Sequence, residues 1–263
     1  MNGVWMPGAG PARDATSKYC VTPAGIGPPA RAPRLRDRKR LAARLRPRKR
    51  GCVFPLEERV NSAADTSVRI VDSADVSPRA RIGRGSSIWH LAQVREDAVL
   101  GENCIVGRGA YIGTGVTLGD NCKVQNYALV YEPARLADGV FIGPAVVLTN
   151  DTYPRAINPD GSIKSAHDWE PVGVTIEQGA SIGARATCVA PVTIGAWATV
   201  AAGAVVVKDV PAHALVAGVP ARRLGWVGRA GVPLAPEGDG IWTCPETGAR
   251  YIETDDTLTE ETA

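Results

Sequence analysis

Aliphatic side chains recur every sixth position from Ile70 to Leu148, through Val76, Ile82, Ile88 and onward, fourteen places without a miss. Four residues after each of the first thirteen lies a small or β-branched side chain, from Ala74 and Ala80 to Val140 and Val146. A period of six is neither the 3.6 of a helix nor the plain 2 of a strand. The unit is therefore a short strand plus a turn, copied so that each repeat stacks on an earlier one. In such a solenoid the aliphatic residue points into a narrow interior and the small one fits where the chain turns. Glycine after many of the aliphatics, as at Gly83, Gly107 and Gly143, relieves the backbone there. Burying one Val, Leu or Ile contributes roughly 1.5–3 kcal/mol before chain entropy is subtracted, so this ladder dominates stability.

The run stops at Leu148 and restarts at Ile176, continuing through Ile182, Cys188, Ile194, Val200 and Val206. The 28-residue gap is not a multiple of six. Residues 149–173, TNDTYPRAINPDGSIKSAHDWEPVG, are accordingly expected to leave the stack as a polar loop, and long loops on repeat scaffolds usually carry function. The expected organisation is a tail over 1–60, the solenoid over 61–210 with its loop at 149–173, and an irregular, short C-terminal closing segment over 211–263.

Net charge is unevenly spread. Residues 1–60 hold 14 Lys/Arg against 4 Asp/Glu, whereas the remainder holds 16 against 23. The basic run at 31–50 has no apolar period and is expected to be disordered. Such a tail could meet RNA or an acidic membrane, but a solvated extension, or one arising from a misassigned start codon, is the favoured reading, so neither nucleic acid nor membrane is taken as a partner. The six cysteines are scattered without a CxxC pair, which favours neither disulfides nor zinc. No apolar run suits a membrane span or secretory signal, so a cytoplasmic location is expected.

Several strings occur in order over residues 70–227: IWHLAQV, KVQNYALVYE, FIGPAVVLTNDTYPRA, HDWEPVGVTIEQGASIGARAT and VAGVPARRLGW. Together with the hexads they resemble the hexapeptide-repeat nucleotide-sugar N-acetyltransferases. The likeness is to those acting on UDP-2-acetamido-3-amino-2,3-dideoxyglucuronate and their relatives acting on dTDP-linked 3-amino sugars. The resemblance implies an all-β fold, a left-handed parallel β-helix, assembled as a homotrimer that binds acetyl-CoA and a nucleotide-linked amino sugar between subunits. The chain departs from that pattern at Gln93, Tyr127, Gly173, Val174 and Arg185, which leaves the acceptor open. The family's Cys-rich knuckle is reduced to Cys244, so no metal is expected.

Acetyl transfer to an amine needs a neutral nucleophile against the thioester carbonyl, a proton acceptor, and a donor for the developing oxyanion. No covalent enzyme intermediate is required. Asn150 and Asp151, where the loop leaves the stack, resemble the family's pair that meets the sugar amine; an Asx turn is the competing reading. Asn126 joins them as catalytic by family position, against a structural corner role. His90 lies 36 residues before Asn126, two coils away on the same corner and about 10 Å distant; a solvated histidine is the alternative. Tyr127, Tyr153, Arg155 and His167 complete the expected substrate contacts. Arg155 suits a carboxylate or phosphate, or an ion pair with Asp160 or Glu170. For the coenzyme, the pantetheine arm is placed along Gly183, Ala184, Ala201 and Ala202, and its phosphates near Lys208, Arg222 and Arg223.

Rival readings are a γ-class carbonic anhydrase, for which His90, His167 and His213 are too dispersed to share a zinc, a non-catalytic scaffold whose tail recruits nucleic acid, and a transferase for a non-sugar amine.

Overall fold

The structure, a computed structural model, describes residues 67–261; the basic tail at 1–60 lies outside the described residues, as do Cys20 and Cys52. The hexads form a three-sided prism of parallel strands, mostly two residues long. Face one carries Arg69–Ile70, Ser87–Ile88, Ile105–Val106, Lys123–Val124, Phe141–Ile142, Ser181–Ile182 and Thr199–Val200. Face two runs from Asp75–Val76 to Val205–Val206, and face three from Arg81–Ile82 to Val192–Ile194. Each strand pairs with the one eighteen residues on, as Ile70 with Ile88 and Val94 with Ile112, so one coil is three hexads. This is the left-handed parallel β-helix of hexapeptide repeats. No helix occurs among the described residues, and none is therefore long and apolar enough to cross a membrane.

The interior is filled by the sixth-position aliphatics and the small corner residues. Ile112, Val124 and Ile142 are fully buried, as are Ala92, Cys104 and Ala128 at the corners. Cys188 shares this interior, where burial pushes its thiol up to about 12 and leaves it inert.

Across the loop the register jumps: Val124 pairs with Ile142 eighteen residues on, but Ile142 pairs with Ile182 forty residues on. The insert therefore adds 22 residues to a coil (40 − 18), the same 22 that turn the six-residue step from Leu148 into a gap of 28. The stack resumes in register.

The last coil is short, since Val200 pairs with Val216 sixteen residues on. Ala214–Ala217 extends face one and Arg222–Trp226 folds back antiparallel upon it. Where the sequence suggested only an irregular closing segment, residues 235–260 form a four-stranded antiparallel sheet: Ala235–Gly238, Ile241–Thr243, Arg250–Thr254 and Thr257–Glu260. Its tight turns use positive φ at Asp239 and Gly240 (50° and 74°) and at Asp255 and Asp256 (47° and 59°), the geometry that Asp and Gly tolerate in two-residue hairpins. Tyr251 and Leu258 bury its inner side, with the Tyr251 ring 5.3 Å from His213.

Candidate active site

The corner between faces one and two stacks His90, Arg108, Asn126, Pro144, Ala184 and Ala202 in one column, because their strands pair in unbroken register. Five steps of ~4.8 Å make this column about 24 Å long. The positions expected to meet the acceptor, His90 and Asn126, and those expected to meet the coenzyme, Ala184 and Ala202, thus share one corner. Gly183 and Ala201 stand in the adjoining column. A cavity of about 210 Å³ opens where Trp89, His90, Gly107, Arg108, Gln125 and Asn126 meet.

The third slot of this corner is left-handed at every coil after the first: φ is 58° at Leu91, 62° at Gly109, 60° at Tyr127, 55° at Ala145, 59° at Arg185 and 72° at Gly203. From Gly109 on, its N–H donates to the second-slot carbonyl one coil back, as Gly109 to His90 (3.0 Å) and Gly203 to Ala184 (2.9 Å). Tyr127 and Arg185, two departures from the resembled pattern, both occupy this slot. Such a backbone is one that Gly and Asn adopt more readily than Tyr or Arg does. What Tyr127 adds is a hydroxyl that accepts a hydrogen bond from Arg108 at the cavity.

The second-slot N–H has a separate partner where the next coil offers one. Asn126 Oδ1 accepts the Arg108 N–H at 2.8 Å, as Asp120 Oδ1 accepts that of Glu102 at 2.7 Å on another corner. The Asn126 oxygen is thus structural, and its Nδ2 is left to donate to a ligand. At Ala184 and Ala202 no acceptor side chain follows, and their N–H groups carry no hydrogen bond to the described residues. His90 Nδ1 lies 2.8 Å from Ser73 Oγ, which leaves Nε2 as the ring nitrogen available for a proton.

The loop departs from a different corner, between faces two and three, which the chain also turns through cis Glu132–Pro133 and cis Ala190–Pro191. Asn150 O accepts Val172 N at 3.0 Å and closes its neck, while Asp151 Oδ1 accepts Tyr153 N at 2.8 Å as an Asx turn. Within one chain Asn150 stacks on Glu132, on the corner that face two separates from the corner of Asn126. One chain alone therefore does not gather Asn126 with Asn150 and Asp151. Beyond the neck the loop is bonded to itself: Asp160 caps Ser162, and Asp168 accepts both the N–H and the hydroxyl of Ser165. Those bonds hold both carboxyls below the usual range. His167 and Tyr153 are exposed, and Arg155 Nη1 donates to Pro154 O at 3.0 Å rather than pairing with Asp160 or Glu170.

At the far end of the prism a cavity of about 250 Å³ is bordered by Lys208, Pro211, Ala221, Arg222 and Arg223. Arg223 is committed: it lies 2.7 Å from Asp256 and 3.8 Å from Glu253, and its guanidinium stacks 4.2 Å from the Trp226 ring centre. Lys208 and Arg222 have no carboxylate partner among the described residues. His90, His167 and His213 sit on a corner, the loop and the closing segment. No group of three or more His, Cys, Asp or Glu that could hold a metal occurs among the described residues.

Sequence reasoning missed Arg108 and Ser73. The signal was available, because Arg108 stands one eighteen-residue step from both His90 and Asn126.

Residues 79–114 match the family described as bacterial transferase hexapeptide (six repeats), and residues 173–208 match the hexapeptide repeat of succinyl-transferase. By its repeat and its coil the chain carries the hexapeptide repeat that these two transferase families share. It is similar to serine acetyltransferase 4 of Arabidopsis thaliana, 31% identical over 177 residues covering 67% of this chain and 36% of that protein. It is also similar to the bifunctional protein GlmU of Brevibacillus brevis, 32% identical over 165 residues covering 62% and 32%. The chain thus spans about a third of the length of these curated relatives. Among solved structures, LpxA of Bacteroides fragilis, a UDP-N-acetylglucosamine acyltransferase, shares the fold at TM-score 0.50 and 17% identity, covering 61% of each chain.

Proposed function

We propose that the protein is an acetyl-CoA-dependent N-acetyltransferase that acetylates the amino group of a nucleotide-linked amino sugar, UDP- or dTDP-linked, by direct attack of the amine on the thioester. The observation that carries this reading is the single corner that holds both the His90–Asn126 cavity and, about 10 Å further along its column, the unbonded N–H groups of Ala184 and Ala202. Pantetheine amides lie along those N–H groups, with the coenzyme phosphates toward Lys208 and Arg222. The thioester carbonyl then reaches Asn126, whose Nδ2 donates to the developing oxyanion. His90 Nε2, its ring held by Ser73, takes the proton as the amine attacks. The tetrahedral intermediate collapses with expulsion of the coenzyme thiolate, which leaves as the thiol once protonated.

Asp151 and Asn150 enter from a second copy of the chain. In a homotrimer, the assembly implied by the resemblance, the loop of one subunit lies along the first corner of its neighbour. The loop carries Tyr153, Ile157 and Ile163 at 81%, 54% and 84% exposure in the single chain, surface that such docking covers. A free Asp151 oxygen then orients the amine.

Serine acetyltransferases among the relatives support a second reading, in which the acceptor is an amino-acid hydroxyl. Thiol release and product mass, measured with acetyl-CoA and a panel of UDP- and dTDP-linked 3-amino sugars, simple amines and L-serine, separate the two. Acetylation of one sugar amine, with Asn126→Ala and Asp151→Asn strongly impaired, supports the proposal. Turnover of L-serine alone, or of nothing, refutes it.

A further inference from the structure

Arg108 stands in the cavity with no part in the chemistry above. Elsewhere on the prism an exposed arginine meets an acid one coil on: Arg79 lies 2.7 Å from Asp97, and Arg84 lies 3.2 Å from Glu102, each eighteen residues apart. The coil neighbours of Arg108 are His90 and Asn126, and no carboxylate pairs with it among the described residues. Its side chain is nevertheless held. Nε donates to the Tyr127 hydroxyl at 3.1 Å, which leaves both terminal amino groups for a ligand. Tyr127 is itself placed by Gly109: a Cβ there would stand 2.6 Å from the ring Cε1, so glycine is what lets the ring lie over the lower coil. A second cation stands nearby, since the Arg69 guanidinium lies 4.7 Å from the Trp89 ring centre.

A positioned guanidinium with a free fork, no internal counter-charge and a cavity before it is suited to a planar or tetrahedral oxyanion. We propose that Arg108, positioned by Tyr127, binds an anionic group of the acceptor, a carboxylate on the sugar or a phosphate of its nucleotide. The inference rests on the preceding section only in placing the acceptor in this cavity. It also moves the anion contact from Arg155, which the loop turns toward its own backbone, to the wall of the prism.

The test is calorimetric titration of the full-length protein with UDP-glucuronate, UDP-glucose and, separately, acetyl-CoA. Arg108→Gln is expected to weaken UDP-glucuronate by about tenfold or more while acetyl-CoA stays within about twofold. Arg108→Lys keeps the charge but not the fork and falls between, and Tyr127→Phe loses part of the affinity. A loss confined to UDP-glucuronate identifies the carboxylate as the partner; an equal loss on both sugars identifies the phosphates. Unchanged sugar binding in Arg108→Gln, weakening of acetyl-CoA instead, or a wild-type protein that binds neither sugar nucleotide overturns the proposal. A protein that binds these sugars through Arg108 but acetylates no amine overturns the proposed function and leaves the arginine assignment standing.

Discussion

Glycine 183 and glycine 115 invite opposite forecasts from backbone angle and from packing, and packing should win at Gly183. Gly115 has φ of 67° with open space where a Cβ would be, so Gly115→Ala meets only the left-handed backbone penalty of about 1–2 kcal/mol. Gly183 has no such φ, and by that criterion alanine should be neutral or slightly stabilising. Yet a methyl group at 183 would press on the backbone N of Ala202 and stand 2.7 Å from Ala201 C and 2.8 Å from Val200 O. These are main-chain atoms of the next coil, so no side chain can swing away. Relief requires the coils to part by roughly 0.7 Å, against a strand spacing of ~4.8 Å. That stretches the bonds from Gly183 N to Val200 O (2.7 Å) and from Ser181 N to Ala198 O (2.9 Å) to the edge of hydrogen-bonding range. Losing two or three such bonds at ~1 kcal/mol each, with the local packing, gives about 3–4 kcal/mol. Urea unfolding followed by far-UV circular dichroism, with similar slopes for both variants, measures the difference. Gly183→Ala at or above the stability of Gly115→Ala would refute the close-approach argument.

Arg222→Gln should raise the KM for acetyl-CoA several-fold, whereas Arg223→Gln should leave it nearly unchanged and lower the melting temperature, because Arg223 already serves Asp256, Glu253 and Trp226; equal effects on KM would contradict that division. His213 is buried with Nδ1 3.0 Å from Val227 O, and burial holds its imidazole below the usual range, with the Arg229 charge adding to this and the Val227 carbonyl and Glu260 opposing it. The unfolded chain therefore gains the proton first, so stability is lost as pH falls below about 6.5. His213→Asn, which suits the 62° φ, should show a smaller melting-temperature drop between neutral and mildly acid pH; an equal drop rules out His213 as the source.

How far the sequence could be read depends on how long its period holds. From Ile70 to Leu148, and again from Ile176 to Val206, the step of six places the aliphatic rungs, and the eighteen-residue coil put His90 and Asn126 on one corner without coordinates. The same arithmetic reaches Arg108, but a polar residue between two candidates has no marker of its own until a cavity and the Tyr127 hydrogen bond are visible. Ser73 is hidden similarly, one coil below and one slot past the position of His90. Period counting fails where coils change length: the sixteen-residue closing turn breaks the register, and the antiparallel sheet at 235–260 has strands too short for their alternation to stand out. The loop's place outside the stack was legible as a gap of 28, but which corner it leaves, and hence that Asp151 stands apart from Asn126 in one chain, follows from the strand pairing.

The most direct test of the account is a crystal structure of the protein with coenzyme A. The coenzyme should lie along the first corner, its pantetheine amides on the N–H groups of Ala184 and Ala202, its phosphates beside Lys208 and Arg222, and its thiol directed toward Asn126. Coenzyme bound along either of the other two corners, or bound with its thiol remote from the His90–Asn126 cavity, would contradict the assignment of this corner to acetyl transfer.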